Sequence, residues 1–327
     1  MDSPVSDSIQ PTRVNDLPGP APAGADSTFT PSEPHPVRGV MLLLAAVLLF
    51  ACMDTTTKVL AADYEVPVVM AVRYVVQALL MLVLLAPTQG RRLVQTQRTG
   101  LVLVRAGCLA TASLVVGLAL QRMPVAEATA IVFVAPLLVV LVAGPLMQEK
   151  VGVVGWTAAM AGFIGVLMIA RPGSGLDPWG VVFALCGAAV IAAYQLLSRV
   201  LAATERTVAL LFYAALLGSL LFGLLAPWYW TGRPPSGLQV LLFLSMGLTG
   251  GIGDFLFTAA HRYAPASLLA PMGYLQLLWA CLLGWWVFDH VPAGISIFGM
   301  CVVAASGAVV AVHSHLVRRA LAESPLD

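Results

Sequence analysis

Ten apolar stretches of about 20 residues follow one another through most of this chain, and that succession constrains its fold more than any other feature. Each is long enough to cross, as a helix, a hydrocarbon layer roughly 30 Å thick. They fall near 39–62, 66–86, 100–120, 124–146, 151–170, 178–199, 207–227, 238–260, 264–288 and 293–313. Breaker residues mark the joints: Pro67, Pro87, Pro124, Arg171-Pro172-Gly173, Pro234-Pro235, Pro265 and Pro292. A single bent helix across 120/124 or 260/264 is left open. Of 327 residues, 59% are hydrophobic and only 10% charged, with a mean hydropathy of +0.91. So few charges cannot clothe a water-facing surface, which excludes a soluble globular enzyme, a disordered protein and a disulfide-rich secreted module. The balance of 17 basic against 16 acidic residues offers nucleic acid no basic footprint. The expected class is an all-α integral membrane protein with ten transmembrane helices.

Residues 1–38 are of a different character, with eight prolines and five acidic residues. They are expected to form a disordered cytoplasmic tail, and they lack the basic start and cleavage site of a signal peptide. With the N-terminus inside, eleven Lys and Arg fall in inner segments and three, Arg122, Arg171 and Arg233, in outer loops. That bias predicts both termini in the cytoplasm.

Sliding the chain by 141 residues brings two halves into register. Lys58-Val59-Leu60-Ala61-Ala62 lies over Arg199-Val200-Leu201-Ala202-Ala203, Pro124 over Pro265, and Glu149-Lys150 over His290-Val291. The unit holds five spans, an odd number, so the second copy must enter the membrane from the opposite side. Inverted repeats of this kind recur in secondary transporters, with the substrate site between the copies. Duplication kept for folding alone is the plainer alternative.

Several of these residues carry a family resemblance. Pro124-Val125-Ala126-Glu127 with Glu149 beyond it, Tyr263-Ala264-Pro265-Ala266-Ser267 leading into Gln276-Leu277-Leu278-Trp279-Ala280, Lys58, and Arg73-Tyr74 together resemble the EamA-type drug/metabolite transporter superfamily. The resemblance covers about residues 39–313. It implies two inverted five-helix EamA repeats, near 39–170 and 178–313, with a cytoplasmic tail at 314–327. It also implies a central cavity, alternating access, and substrates ranging over amino acids, S-adenosylmethionine, riboflavin and drug-like cations. The chain departs from the pattern at His290, where an acidic residue is usual, and at Met53-Asp54, where an aromatic-glycine pair is common.

Charges inside the spans are costly and mark candidate sites. Asp54 and Arg73 sit at similar depth, about 12 and 10 Å from the outer ends of adjacent spans, so an interhelical ion pair is expected. Lys58 lies one turn beyond Asp54, and a self-neutralising packing cluster of the three competes with a substrate-binding charged wall. Asp254, with no base nearby in sequence, is a candidate for proton coupling together with Asp54, or for holding a substrate amine. The alternative is an acid hydrogen-bonded within the bundle. Gly247 and Gly251 before it are spaced for close helix contact. Tyr274, Gln276 and Trp279 complete the candidate substrate-binding set with Asp54, Arg73 and Asp254. Trp279 is read as a stacking wall or as packing. Tyr194 and Gln195, over Met53 and Asp54 in the repeat, are weaker cavity candidates. Arg105 is expected to snorkel, Glu127 to complement a helix dipole, and Pro136 and Pro271 to bend their spans. Trp228, Tyr229, Trp230, Trp285 and Trp286 fit an interfacial aromatic belt.

The five cysteines show no paired spacing, and no phosphate-binding, hydrolase or metal motif is present, so neither a cofactor nor a metal is expected. The partners expected are a small-molecule substrate and the lipid bilayer, with a homodimer left open. The reading is a secondary transporter of a small polar or amphipathic metabolite in a bacterial inner membrane, with proton coupling left open. The alternative is an intramembrane enzyme acting on a lipid or isoprenoid.

Overall fold

The computed structural model describes residues 36–90, 94–147, 153–170, 175–201, 204–263, 269 and 272–323. Residues 1–35 of the expected tail, Glu149, Pro265 and Pro271 lie outside these ranges. Eleven helices occur among the described residues, and no strand: α1 (Pro36–Leu60), α2 (Val66–Gln89), α3 (Thr99–Arg122), α4 (Val125–Val132), α5 (Ala135–Met147), α6 (Val153–Ile169), α7 (Pro178–Leu201), α8 (Thr207–Tyr229), α9 (Gly237–Tyr263), α10 (Leu275–Phe288) and α11 (Gly294–Glu323). Six of them, α1, α2, α3, α7, α8 and α9, are long and apolar enough to cross a membrane. Shorter apolar stretches at Val125–Val139, Trp156–Ile169, Leu275–Phe288 and Gly294–Val309 occupy the places of the remaining expected spans.

The breaks have local causes. Met123 is extended and Pro124 precedes α4, which separates α3 from α4 at the 120/124 joint. Pro136 has no N–H to give to the preceding turn, so the helical ladder fails just before it. There the N–H of Phe133 bonds Thr129 O and that of Val134 turns onto Ile131 O, and the fourth span becomes α4 and α5. The last helix runs on to Glu323, past the expected end of its span at 313.

The packing follows the repeat. Exchanging the halves maps α1 onto α7, α2 onto α8, α3 onto α9, α4–α5 onto the span containing α10, and α6 onto α11. Every main pairing between the halves has its exchanged mate. Helix α1 packs on α9 and α7 on α3; α2 packs on α9 and α8 on α3; α1 packs on α10, and α7 on α4 and α5. The pairs α2–α8 and α6–α11 map onto themselves, and α4 also packs on α10. Phe133 and Tyr274, mates at the 141-residue offset, touch each other with ring centroids 5.1 Å apart. Without water in the bilayer, such pairings depend on close fit. Gly165 and Gly299 supply it between α6 and α11: a Cβ on either would stand 2.6–2.8 Å from the other's carbonyl oxygen. Trp228, Tyr229, Trp230, Trp285 and Trp286 are all exposed at the ends of α8 and α10.

Candidate functional site

A cavity of about 310 Å³ lies where the two halves meet. Helices α1, α2, α3, α7 and the break between α4 and α5 wall it, and Gln276 closes it from α10. Its apolar wall includes Phe50, Met53, Met70 and Phe133, and its polar groups are Asp54, Thr57, Arg73, Ser113, Tyr194, Gln195 and Gln276. A mostly apolar pocket with a few convergent polar groups is the usual build of a small-molecule site, though this one is at the small end of the range, about 300–1,000 Å³.

Of the six candidate binding residues, Asp54, Arg73 and Gln276 line this cavity. Gln276 donates through Nε2 to Asp54 Oδ2 at 3.2 Å, so a side chain of the second repeat holds the carboxylate of the first. Asp254 is not on the wall; it accepts from Gln77 Nε2 at 2.7 Å. Arg73 acts electrostatically on both carboxyls, and Arg105 adds to its effect on Asp254, which has no base near it in sequence. The expected Asp54–Arg73 ion pair does not close to contact among the described residues. The guanidinium instead lies 5.3 Å from the centre of the Tyr74 ring, with Nη1 3.9 Å from Met70 Sδ. Its Nε and the Oε1 of Gln77 are buried without a hydrogen-bond partner. Planar, always charged and only partly satisfied, Arg73 can accept a further acceptor from a bound molecule.

Local sequence brings this cluster together. Gly247 and Gly251 let α9 lie directly against Val76, Gln77 and Leu80 of α2, as their spacing predicted. That contact carries Asp254 to Gln77. On the other face of Arg73, Tyr74 shares a hydrogen bond of 2.7 Å with Ser113, the repeat mate of Asp254.

Tyr274 and Trp279 do not line the cavity. The Tyr274 ring packs on Phe133, and its hydroxyl is buried without a partner against the backbone of Gly307. Trp279 packs in an apolar cluster with Leu43, Val47, Ala260 and Leu269 between α1 and the second repeat. That placement fits the packing alternative for Trp279.

One expectation for a charged residue needs correction, and two more charged residues find partners that the sequence did not show. Arg105 does not snorkel. It is 4% exposed and turned inward, with Nε to Ser198 Oγ at 2.7 Å, Nη2 to Tyr194 Oη at 2.7 Å and Nη1 to Leu210 O at 3.2 Å. A guanidinium whose donors find partners inside the bundle has no need to reach the interface. Lys58 does not close onto Asp54. Its ammonium donates to Leu120 O and Met123 O, both at 2.8 Å, satisfying carbonyls that the end of α3 leaves free. Glu127 sits in the first turn of α4, as the dipole reading expects, and in addition it is 3% exposed with its Oε1 3.1 Å from His290 Nε2.

Gln77 and Ser113 were missed in the sequence. Ser113 was findable, because the repeat offset places it over Asp254. Gln77 was findable one helical turn beyond Arg73. Outside the spans, Arg122 pairs with Asp177 and Arg233 with Asp63, each at 3.3 Å. The N–H of Trp179, 2.8 Å away, holds the Asp177 carboxyl below the ordinary carboxylate range, and Arg122 adds to the effect. Among the described residues no group of His, Cys, Asp and Glu is arranged to hold a metal ion.

Comparison with known proteins agrees with this architecture. The chain is similar to the riboflavin transporter of Vibrio cholerae, 28% identical over 291 residues, covering 84% of this chain and 93% of the relative. It is also similar to the S-adenosylmethionine uptake transporter of Rickettsia prowazekii, 23% identical over 180 residues, covering 55% and 60%. A solved crystal structure superposes over 88% of this chain and 99% of its own with a TM-score of 0.62 at 19% identity, a likeness of fold. The model of the EamA-like transporter family matches twice, over residues 37–171 and 178–312. Both halves being so matched, the chain belongs to the EamA-like transporter family: it is a multi-pass membrane transporter and not an enzyme.

Proposed function

We propose that the chain is a secondary transporter that moves a small polar or amphipathic metabolite by alternating access. The ten apolar stretches are its spans, arranged as two inverted five-helix repeats near 39–170 and 178–313, with both termini in the cytoplasm of a bacterial cell. The observation that carries the reading is the cavity shared by the halves, into which Asp54 and Arg73 of one repeat and Gln195 and Gln276 of the other converge. A site on the exchange axis of two packed halves is reached from either side when they rock.

The wall supports a substrate with a flat apolar part and polar edges. Phe50, Phe133 and Tyr194 offer aromatic faces, Gln195 and Gln276 offer amides that both donate and accept, and Arg73 and Asp54 offer one charge of each sign. Riboflavin fits that description and is the substrate named for the Vibrio cholerae relative, so it is the first to test; S-adenosylmethionine is the second. Asp54 on the cavity wall and Asp254 off it, both under the influence of Arg73, are the proposed proton-coupling carboxyls.

The test is flux of labelled riboflavin into proteoliposomes holding the full chain, beside S-adenosylmethionine. Saturable uptake that falls at least tenfold in Arg73→Gln supports the cavity as the site. Saturable uptake unchanged by that substitution sinks it.

A further inference from the structure

A second polar cluster, outside the residues that line the cavity, joins α4 to the turn that ends α10. Glu127 is buried on α4, and its sole hydrogen-bond contact among the described residues is Oε1 to His290 Nε2 at 3.1 Å; its Oε2 is buried and unpartnered. His290 belongs to the other repeat and is 39% exposed. It is aimed by a tight turn. Asp289 takes the left-handed conformation, φ 51°, which side chains other than glycine rarely adopt, and it ends α10 with the N–H groups of Asp289 and His290 both directed at Gly284 O. Lys58 is held at Leu120, a residue of the cavity wall, and it feels the Glu127 charge while standing 5.6 Å from the centre of the Phe288 ring.

We infer that Glu127 and His290 form a proton-binding latch between the two repeats, which holds α4 to the end of α10 when it is protonated. The argument is one of linkage. A neutral imidazole and a carboxylate share a hydrogen bond charged on the acceptor side only; a proton on the imidazole charges the donor as well and adds an ion-pair attraction that exists only while the two groups touch. The pair therefore binds a proton better while the repeats are together than when they separate. By reciprocity, a proton favours the joined repeats by the same factor. The half-exposed ring gives the proton a path from solvent to a buried carboxylate.

The surrounding elements leave this pair as the group that can switch. From α1 the carboxylate faces Lys58, two of whose three ammonium donors go to the Leu120 and Met123 carbonyls. From α10 it faces Cys281, with Cys301 of α11 behind it. At the end of α3, Arg122 is paired with Asp177 at the start of α7. Asp289 lies beside His290 in the turn. This latch is distinct from Asp54 and Asp254, which lie deeper, around Arg73. Its link to flux rests on the proposed function; its proton does not.

The experiment is hydrogen–deuterium exchange of the full chain in lipid nanodiscs, scanned from about pH 5 to pH 8 with intrinsic rates divided out. Peptides spanning 124–132 and 286–294 are followed in the wild type, Glu127→Gln and His290→Gln. The expected result is exchange about tenfold faster at the high end in the wild type, a typical size for such coupling, and a flat profile in both variants. A wild-type profile retained in His290→Gln overturns the latch, as does a flat profile in the wild type. His290 lies in a half-exposed turn, so His290→Gln still decides the matter where Glu127→Gln fails to fold. Riboflavin flux under an imposed proton gradient is measured alongside. Gradient-stimulated flux in the wild type that becomes gradient-independent in His290→Gln extends the latch to coupling. The exchange shift without any riboflavin flux supports the latch and sinks riboflavin as substrate.

Discussion

Asp54 on α1 and Gln195 on α7 occupy the same place in the two repeats, and both face the cavity. Their supports are alike in outline: α1 is held by α9 and α10, α7 by α3 and by α4 with α5. Their chemistry is not alike. Asp54 is bonded by Gln276 and lies under the influence of Arg73, whereas the mate of Arg73 is Ala214 and the mate of Gln276 is Ala135. Beside Gln195, the cavity wall is the neutral Tyr194, held from behind by Arg105. The duplicated scaffold has kept its helix pairings and lost its charge symmetry. Small apolar residues suffice to preserve the pairings, while a cavity that must hold an unsymmetrical molecule in one orientation needs different groups at its two ends.

The harshest way to break this asymmetry is to remove the charge at its centre. Arg73→Gln removes the cation that acts on both Asp54 and Asp254, and a buried carboxyl without that partner is expensive to keep charged. Flux in proteoliposomes is expected to fall about 100-fold, in line with the loss of a desolvated charged partner worth about 3 kcal/mol. Adding Asp254→Asn should restore part of it, because only one carboxyl then needs an answer. A double variant no better than the single would separate Asp254 from this cluster.

The quieter side of the cavity can be tested through Arg105. Arg105→Met keeps most of the volume but strips donors from Ser198, Leu210 O and Tyr194 together. Each buried polar group left unanswered costs about 1–3 kcal/mol, and some will find new partners, so a net loss of about 2–3 kcal/mol is expected. Thermal unfolding of the detergent-purified protein measures it. An unchanged melting temperature would show that the cluster is not holding Tyr194.

Exchanging the mates tests the comparison itself. In Asp54→Gln/Gln195→Asp the carboxylate moves to the other end of the same cavity, away from Arg73 and Gln276. The KM for riboflavin is expected to rise about tenfold, the scale of a misplaced charge-assisted hydrogen bond, with folding unchanged. A KM within twofold of the wild type would mean that the substrate ignores the asymmetry.

The helix pairings were largely legible in the sequence, because the 141-residue offset and the odd number of spans dictate which helices exchange. Asp54 and Gln276 were legible too, as polar residues in the middle of apolar spans. The direction of long side chains was not. Lys58 and Arg105 each have several rotamers of equal merit on an isolated helix, and the carbonyls and hydroxyls that capture them come from helices 62 to 105 residues away. Glu127 looked like a dipole partner because its own helix offers nothing else. His290 reaches it across 163 residues, after a left-handed turn at a residue that is not glycine. Pro292 marks the joint, but nothing in the local sequence says that the turn aims His290 at Glu127.

Trp279 is the mildest test, and it separates position from chemistry. On α10 it is one turn from Gln276, and an indole so near an amide on the cavity wall reads from sequence as a stacking platform. In the fold its ring is turned to Leu43, Val47 and Leu269, away from the residues that wall the cavity. Trp279→Leu therefore trades one apolar shape for a smaller one in a packed layer, which costs about 1 kcal/mol where neighbours can close in. Riboflavin KM is expected to stay within twofold, with a slightly lower melting temperature. A KM shift of tenfold at an unchanged melting temperature would return Trp279 to the site. It would also mean that α10 turns about its axis during transport, bringing the indole to the place that Gln276 occupies here.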